Sequence, residues 1–430
     1  MHIRYWLGLT VLTATAALAS GQPPAEFARA RPAIEKQLRD KAPGARVAGL
    51  EALRQYPTAA AAALALAATQ DADDYVRAAA FRTLVQLHAD EGVRTWMTTS
   101  VERDAPTNNA TLAVVLLSAE ADDAKLTELL AKRYKGRPAR VAELVTGVIE
   151  LGSWPDPGAV RALRRVAQLP FFPASQALKW GVVESLFALG RPDTVPVLID
   201  LLDKTDGEVQ YQVGAHLERV TGATFATSTG DWRNWWEQNK NTFRYPTPDA
   251  LARAAARPKE EPNSYYGIPI RTRRVVFVVD CSGSMIGDRL ASAKAELTKV
   301  IERLPAKTEF NIVAYSTTVV PWSPTPVVLT DATRKSAVAT VAGLRAAGGT
   351  STYDALSAAL NMNADTIFLL TDGEPSSGTI VQTDAIVAAI RARNRAVGCS
   401  IHTIGIGLGA RDEFLRALAR QNHGQYRAVE

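Results

Sequence analysis

Three short segments of this 430-residue sequence carry oxygen donors at spacings that could hold a metal ion. The first is Asp280-Cys281-Ser282-Gly283-Ser284, where alternate side chains can face one way while Gly283 permits a tight bend. The second is Gly348-Gly349-Thr350-Ser351-Thr352, and the third is Thr371-Asp372-Gly373. Asp280, Ser282, Ser284, Thr350 and Asp372 together offer two carboxylates and three hydroxyls, with no imidazole or thiolate. An all-oxygen set suits a hard cation. Few carboxylates, with hydroxyls and waters, suit octahedral Mg²⁺ at about 2.0–2.1 Å (or Mn²⁺ in its place) better than a Ca²⁺ cage. Neutral ligands leave the ion electrophilic, so an open position could accept a carboxylate from a partner.

Distant segments make a site only if the fold gathers them. Val275-Val276-Phe277-Val278-Val279 is a continuous apolar run, the pattern of a parallel strand buried on both faces. Leu290, Ala293, Leu297, Val300, Ile301 and Leu304 then recur at helical spacing. Further strands are expected at 310–315, 319–322, 367–370, 400–406 and 426–429, with helices at 332–345, 380–396 and 413–420. This alternation predicts crossover connections and a doubly wound, mostly parallel α/β sheet with helices on both faces. In such a sheet the loops at the carboxyl ends of the strands meet at the switch point, where ligands bind.

Asp280-x-Ser282-x-Ser284, Gly349-Thr350 and Thr371-Asp372-Gly373, in this order among these elements, resemble the von Willebrand factor A (vWA) domain with a complete metal-ion-dependent adhesion site, or MIDAS. The resemblance covers roughly residues 273–430. Leu415-Arg416-Ala417-Leu418-Ala419 and then Asn422-His423-Gly424-Gln425-Tyr426 resemble the family's closing helix and strand. The resemblance implies that Ser282, Ser284 and Thr350 supply hydroxyl ligands, and that Asp280 and Asp372 bind directly or through water. It also implies adhesion to a protein partner and no enzymatic activity. A vestigial, empty site is the plainer alternative, but it would leave buried carboxylates unpaired at high cost.

Other motifs here have plainer readings. Ser351-x-x-Asp354 fits a capping box, which makes Asp354 a helix-start residue. Cys281 and Cys399 are expected at opposite edges of the sheet, too far apart for a disulfide, with Cys281 the thiol better placed to act. Gly405-x-Gly407-x-x-Ala410 matches a dinucleotide fingerprint, but such a site opens a sheet of this kind and does not close it. None of the five histidines lies in an HExxH, and neither a G-x-S-x-G nor a P-loop occurs. A metal hydrolase using the same oxygen ligands would need a base near the ion, and the sequence shows none.

The remaining sequence frames this domain. A content of 47% hydrophobic and 22% charged residues excludes a mainly disordered or collagen-like chain. The net charge is +5 without any Lys/Arg run, which argues against a nucleic-acid partner. Two cysteines make no disulfide framework. Residues 7–18 are apolar and uncharged, and Ala17-Leu18-Ala19 is a small-x-small cleavage site. This predicts a signal peptide at 1–19 and an exported protein, secreted or held in the periplasm or cell envelope. An uncleaved anchor helix is the alternative, although the stretch falls short of the ~20 residues that span a bilayer. No later segment could cross one.

Residues 20–242 read as stacked helical pairs. Val76, Ala79, Ala80 and Leu84, like Val141, Leu144, Val145 and Val148, show helical spacing. Asp73-Asp74-Tyr75-Val76-Arg77 is echoed by Asp206-Gly207-Glu208-Val209-Gln210, and Leu151-Gly152 by Leu189-Gly190 at a period of ~35–38 residues. The stretch from Leu189-Gly190-Arg191-Pro192 to Leu201-Leu202 resembles a HEAT-type repeat. Such stacks serve either as a second interaction surface or as a spacer. Trp232, Trp235 and Trp236, after the expected N-cap Asp231, read as rings covering the end of the last repeat rather than a carbohydrate platform. Five prolines between 243 and 272 mark a semi-rigid linker. The whole reads as an exported adaptor or scaffold with a metal-dependent binding domain at 273–430.

Overall fold

The computed structural model describes residues 25–103, 109–118, 124–154, 157–253, 263–407 and 413–429. The expected signal peptide at 1–19 lies outside the described residues, as does Ala410 of the glycine motif. The chain divides into two compact units. One runs through Phe172 and includes Gly181–Leu198; the other comprises Pro173–Trp180 and the chain from Ile199 onward. Among the described residues no helix is long and apolar enough to cross a membrane.

The N-terminal region is helical, as its spacing predicts. Its helices are α1 (Ala25–Leu38), α2 (Pro43–Leu53), α3 (Ala59–Ala68), α4 (Asp74–Leu87), α5 (Glu91–Glu102), α6 (Asn109–Leu117), α7 (Ala124–Tyr134), α8 (Pro138–Leu151), α9 (Pro157–Val166), α10 (Gln176–Leu189) and α11 (Val195–Leu202). Asp73 caps α4 by accepting from Tyr75 N at 2.9 Å and Val76 N at 3.2 Å. That start turns Val76, Ala79, Ala80 and Leu84 inward, all fully buried. Polar groups stitch neighbouring helices together. Thr83 Oγ1 donates to Leu50 O at 3.2 Å, and Arg46 grips both oxygens of Asp71 at 2.8 and 2.9 Å.

In the second unit follow α12 (Gly207–Thr221), α13 (Thr229–Asn239) and α14 (Pro248–Arg253). Asp206 echoes Asp73 in sequence but does not cap α12; it accepts from Lys179 Nζ at 2.7 Å. Asp231 is not the N-cap of α13 either. The helix starts after Ser228, and Asp231 lies in the first turn, accepting from Ser228 Oγ at 2.6 Å. Trp232 is fully buried and donates to Ala226 O at 3.0 Å. Trp235 and Trp236 each pack edge-on against Phe243 at 5.8 Å, so the rings cover one another and present no flat platform.

A hairpin, β1 (Ser264–Tyr265) and β2 (Ile268–Pro269), turns at Gly267 with φ +79°. It lies in the segment that the prolines mark as a linker, yet Tyr265 and Ile268 are buried against the main sheet. The rest of the domain runs β3 (Arg274–Asp280), α15 (Asp288–Arg303), β4 (Glu309–Tyr315), β5 (Val319–Pro321), β6 (Val327–Val328), α16 (Asp331–Gly343), α17 (Thr352–Leu360), β7 (Thr366–Thr371), α18 (Thr383–Val397), β8 (Ser400–Ile406), α19 (Glu413–Arg420) and β9 (Tyr426–Val429). The sheet order is β5-β4-β3-β7-β8-β9, with β6 also on β4. The inner pairings are parallel, while β5 and β6 run antiparallel to β4. Strand alternation makes two cores: Val275, Phe277 and Val279 face α15 and α16, and Val276 and Val278 face α17, α18 and α19. The chain passes from β3 to β4 on one side and returns to β7 on the other. The switch point therefore lies beside the carboxyl end of β3.

Candidate metal centre

Asp280 ends β3 at that switch point and is fully buried. Parallel register sets it opposite Tyr315 of β4 and brings the end of β7 alongside. Its Oδ1 accepts from Ser282 N at 2.8 Å. Its Oδ2 accepts from Thr371 Oγ1 at 2.5 Å and from Tyr315 OH at 3.4 Å. All three donors are neutral. Burial pushes the Asp280 carboxyl up from its ordinary range. The hydrogen bonds from Thr371 and Ser282 pull it back, and the neighbouring Asp372 charge pushes it up again.

The loop after β3 continues the chain of contacts. Ser282 Oγ and Ser284 Oγ are 3.0 Å apart, and Ser284 Oγ donates to Asp372 Oδ1 at 2.7 Å. The other Asp372 oxygen accepts from Arg289 Nη1 at 2.7 Å. Asp280, Ser282, Ser284 and Asp372 thus form one connected polar cluster. Thr350 stands in the adjoining loop, buried at 4% exposure. That loop is tied to the first by Gly283 N donating to Gly348 O at 2.9 Å. Thr350 N donates to Ser376 Oγ at 3.0 Å, and Thr350 O accepts from Ser376 N at 3.0 Å. Among the described residues no direct hydrogen bond joins the Thr350 hydroxyl to the other four. Gly348 adopts φ +81°, and a Cβ there would lie 2.6 Å from Thr317 Oγ1, so the close approach of these loops requires glycine.

The donor set fits a hard divalent ion. Of the two buried carboxylates only Asp372 meets a cation, Arg289, and Asp280 has neutral donors alone at the carboxyl end of the sheet. No group of three or more His, Cys, Asp or Glu side chains is arranged for a metal among the described residues, so hydroxyl oxygens must complete any shell here.

Two contributors, Tyr315 and Arg289, lie outside the motif segments, and Thr371 lies within one without being among the expected donors. Tyr315 and Thr371 hold Asp280 from below, and Arg289 neutralises Asp372. The strand register Asp280–Tyr315 is a signal that could have pointed to Tyr315; Arg289 is an ordinary surface residue by sequence. Two other expectations need correction. Ser351 does not cap α17: its hydroxyl donates to Ser316 O, and Asp354 Oδ2 accepts from Thr379 N at 2.9 Å instead of closing a capping box. Cys281 and Cys399 are both free and buried, but Cys281 is poorly placed to react, since burial and the Asp280 charge push its thiol up to about 11.

The family model of the von Willebrand factor type A domain matches residues 273–428. Inter-alpha-trypsin inhibitor heavy chain H4 of Homo sapiens is 29% identical over 177 residues, which are 38% of this chain and 19% of that protein. Heavy chain H3 of Mesocricetus auratus is 27% identical over 180 residues, covering 38% of this chain and 20% of its own. This chain therefore spans about a fifth of the length of these relatives. Among solved structures, a von Willebrand factor type A protein from Catenulispora acidiphila is 24% identical, with a TM-score of 0.34, over 38% of this chain and 39% of that one. With the β3–β9 topology, the family match identifies residues 273–428 as a von Willebrand factor type A domain.

Proposed function

We propose that this chain is an exported, non-enzymatic adaptor whose vWA domain binds a protein partner through a divalent ion. Asp280, Ser282, Ser284, Thr350 and Asp372 would hold the ion, with Mg²⁺ or Mn²⁺ favoured over Ca²⁺ by the few carboxylates. The bound ion would supply a Lewis-acidic position for a carboxylate of the partner. The observation that carries this reading is Asp280, a fully buried carboxylate whose hydrogen-bond donors are all neutral, beside a second buried carboxylate. The relatives are named as heavy chains of an inhibitor, which supports binding over turnover. Export rests on the apolar residues 7–18 and the Ala17-Leu18-Ala19 site. The helical region serves as a second interaction surface or as a spacer.

Titration calorimetry of the full chain with Mg²⁺ and with Mn²⁺ tests the centre. Wild type should bind one ion, Asp280→Ala none, and Thr350→Ala should bind more weakly than wild type. Partner capture should be lost in EDTA. A wild type that binds neither ion, or capture indifferent to EDTA and to Asp280→Ala, contradicts the reading.

A further inference from the structure

Arg289 lies in the first turn of α15, where the helix dipole disfavours a cation. It nevertheless turns onto the candidate centre. Nη1 donates to Asp372 Oδ2 at 2.7 Å and to Ser284 O at 3.2 Å. The Asp372 side chain is fully shielded from solvent, while that of Arg289 is 44% exposed. The guanidinium also packs near backbone beyond β8, where a Cβ on Gly407 would lie 3.4 Å from Nη2. One face of the guanidinium is therefore held, and the other is open to water.

Resting on the metal reading above, we propose that Arg289 is a resident counter-cation that competes with the divalent ion for Asp372, so that metal loading is coupled to release of the guanidinium. Ion and guanidinium are both cations drawing on one carboxylate, and like charges so close repel. Without the ion, Arg289 offsets one of the two buried negative charges. With the ion in place that service is redundant, and the exposed half of the side chain gives the guanidinium a solvated position to withdraw to. Arg289 thus stabilises the metal-free domain and weakens metal binding in the same act.

The test uses the full chain and Mn²⁺ alone as probe, comparing wild type, Arg289→Gln and Arg289→Lys. In calorimetry Arg289→Gln should bind Mn²⁺ about fivefold tighter, the upper scale of one charge pair at a half-exposed site. Arg289→Lys keeps the charge and should stay within about threefold of wild type. Thermal unfolding separates coupling from a merely structural role. In EDTA Arg289→Gln should melt below wild type, and at saturating Mn²⁺ the deficit should close or reverse. Unchanged or weaker Mn²⁺ binding by Arg289→Gln, or an equal deficit with and without Mn²⁺, overturns the coupling while leaving the metal centre standing. Absence of any Mn²⁺ effect on binding or melting in all three proteins overturns both.

Discussion

Thr371 Oγ1 donates to Asp280 Oδ2 at 2.5 Å, joining the ends of two adjacent parallel strands beneath the candidate centre. The contact orients a carboxylate that burial makes costly to ionise. The folded-state pKa of Asp280 is raised above its ordinary 3.8. Its contribution to stability is therefore fully present below that value and is lost as pH rises through the folded pKa. Asp280→Asn removes the charge, and the Thr371 hydroxyl can turn to accept from the new amide. In EDTA this variant should be more stable than wild type at pH 7, with the advantage fading below pH 4. Thermal unfolding in EDTA across this pH range measures it; a variant less stable at pH 7 by as much as at pH 3 would refute the argument.

Asp280 Oδ2 receives a short bond from Thr371 and a long one from Tyr315, and the two should differ in weight. Thr371→Val keeps the shape and deletes the short bond; Tyr315→Phe keeps the ring and deletes the long one. Both should weaken Mn²⁺ binding, Thr371→Val by about 1 kcal/mol or more and Tyr315→Phe by about 0.5 kcal/mol, within the net range of single hydrogen bonds. Calorimetry on the two variants checks the order. Equal or inverted losses would mean that the 3.4 Å contact carries the orientation.

The core of the vWA domain was legible because its strands are buried on both faces. The apolar runs at 275–279 and 367–370, alternating with segments of helical spacing, point to a parallel sheet covered by helices on both faces. Two of the three donor segments, 280–284 and 371–373, follow such strands, whereas 348–352 precedes α17 and is marked only by its glycines and hydroxyls. Other features lack that kind of signal. The two-residue strands β1, β2 and β6 are too short to show a period of two. Ser351 and Asp354 have capping-box spacing, but tertiary acceptors and donors at Ser316 and Thr379 outcompete the local bonds. Asp231 fails as a cap because Ser228 starts the helix one turn earlier. The Arg289–Asp372 contact arises only when folding sets α15 beside the end of β7.

The hairpin and Arg271 bear on where the vWA domain can be cut. Arg271 Nη1 pairs with Glu208 Oε2 at 2.7 Å, with side chains only 10% and 6% exposed, and its guanidinium lies 3.3 Å from the centroid of the Tyr211 ring. Removing one partner of so buried a pair costs about 3–5 kcal/mol. Glu208→Ala should destabilise the full chain by that order. A fragment beginning at residue 263 keeps Tyr265 and Ile268 but loses Glu208 and Tyr211. It should unfold cooperatively yet at lower denaturant than the same domain in the full chain. Circular dichroism in urea measures both, and a Glu208→Ala chain as stable as wild type would show the pair to be solvent-relaxed.

Acid should unfold this protein through two buried histidines. His402 lies in β8 at 1% exposure, stacked on Phe368 at 4.8 Å, and its Nδ1 accepts from Gln425 N at 2.9 Å. Burial, with the positive charge of Arg271, lowers it from 6.5 to about 3. His216 bonds Tyr245 OH at 2.7 Å, and burial with Arg219 lowers it likewise from 6.5 to about 3. Each folded-state pKa is depressed, so the unfolded chain takes up the protons first. The stability both residues lend is intact above pH 6.5 and is lost as pH falls from there toward 3. Well below 6.5 each histidine should steepen the fall by about 1.4 kcal/mol per pH unit. His402→Asn offers an uncharged acceptor near the Nδ1 position; in His216 the Nδ1 accepts from Arg219 Nη2 at 3.0 Å and Nε2 donates to Tyr245, so His216→Gln offers an amide N–H donor near Nε2. The double variant loses ring packing and should be weaker at pH 7.5, but its stability should fall far less between pH 6 and 4.5. Urea unfolding in EDTA across that range reads the slope. Parallel curves for wild type and the double variant would mean that other groups set the acid limb.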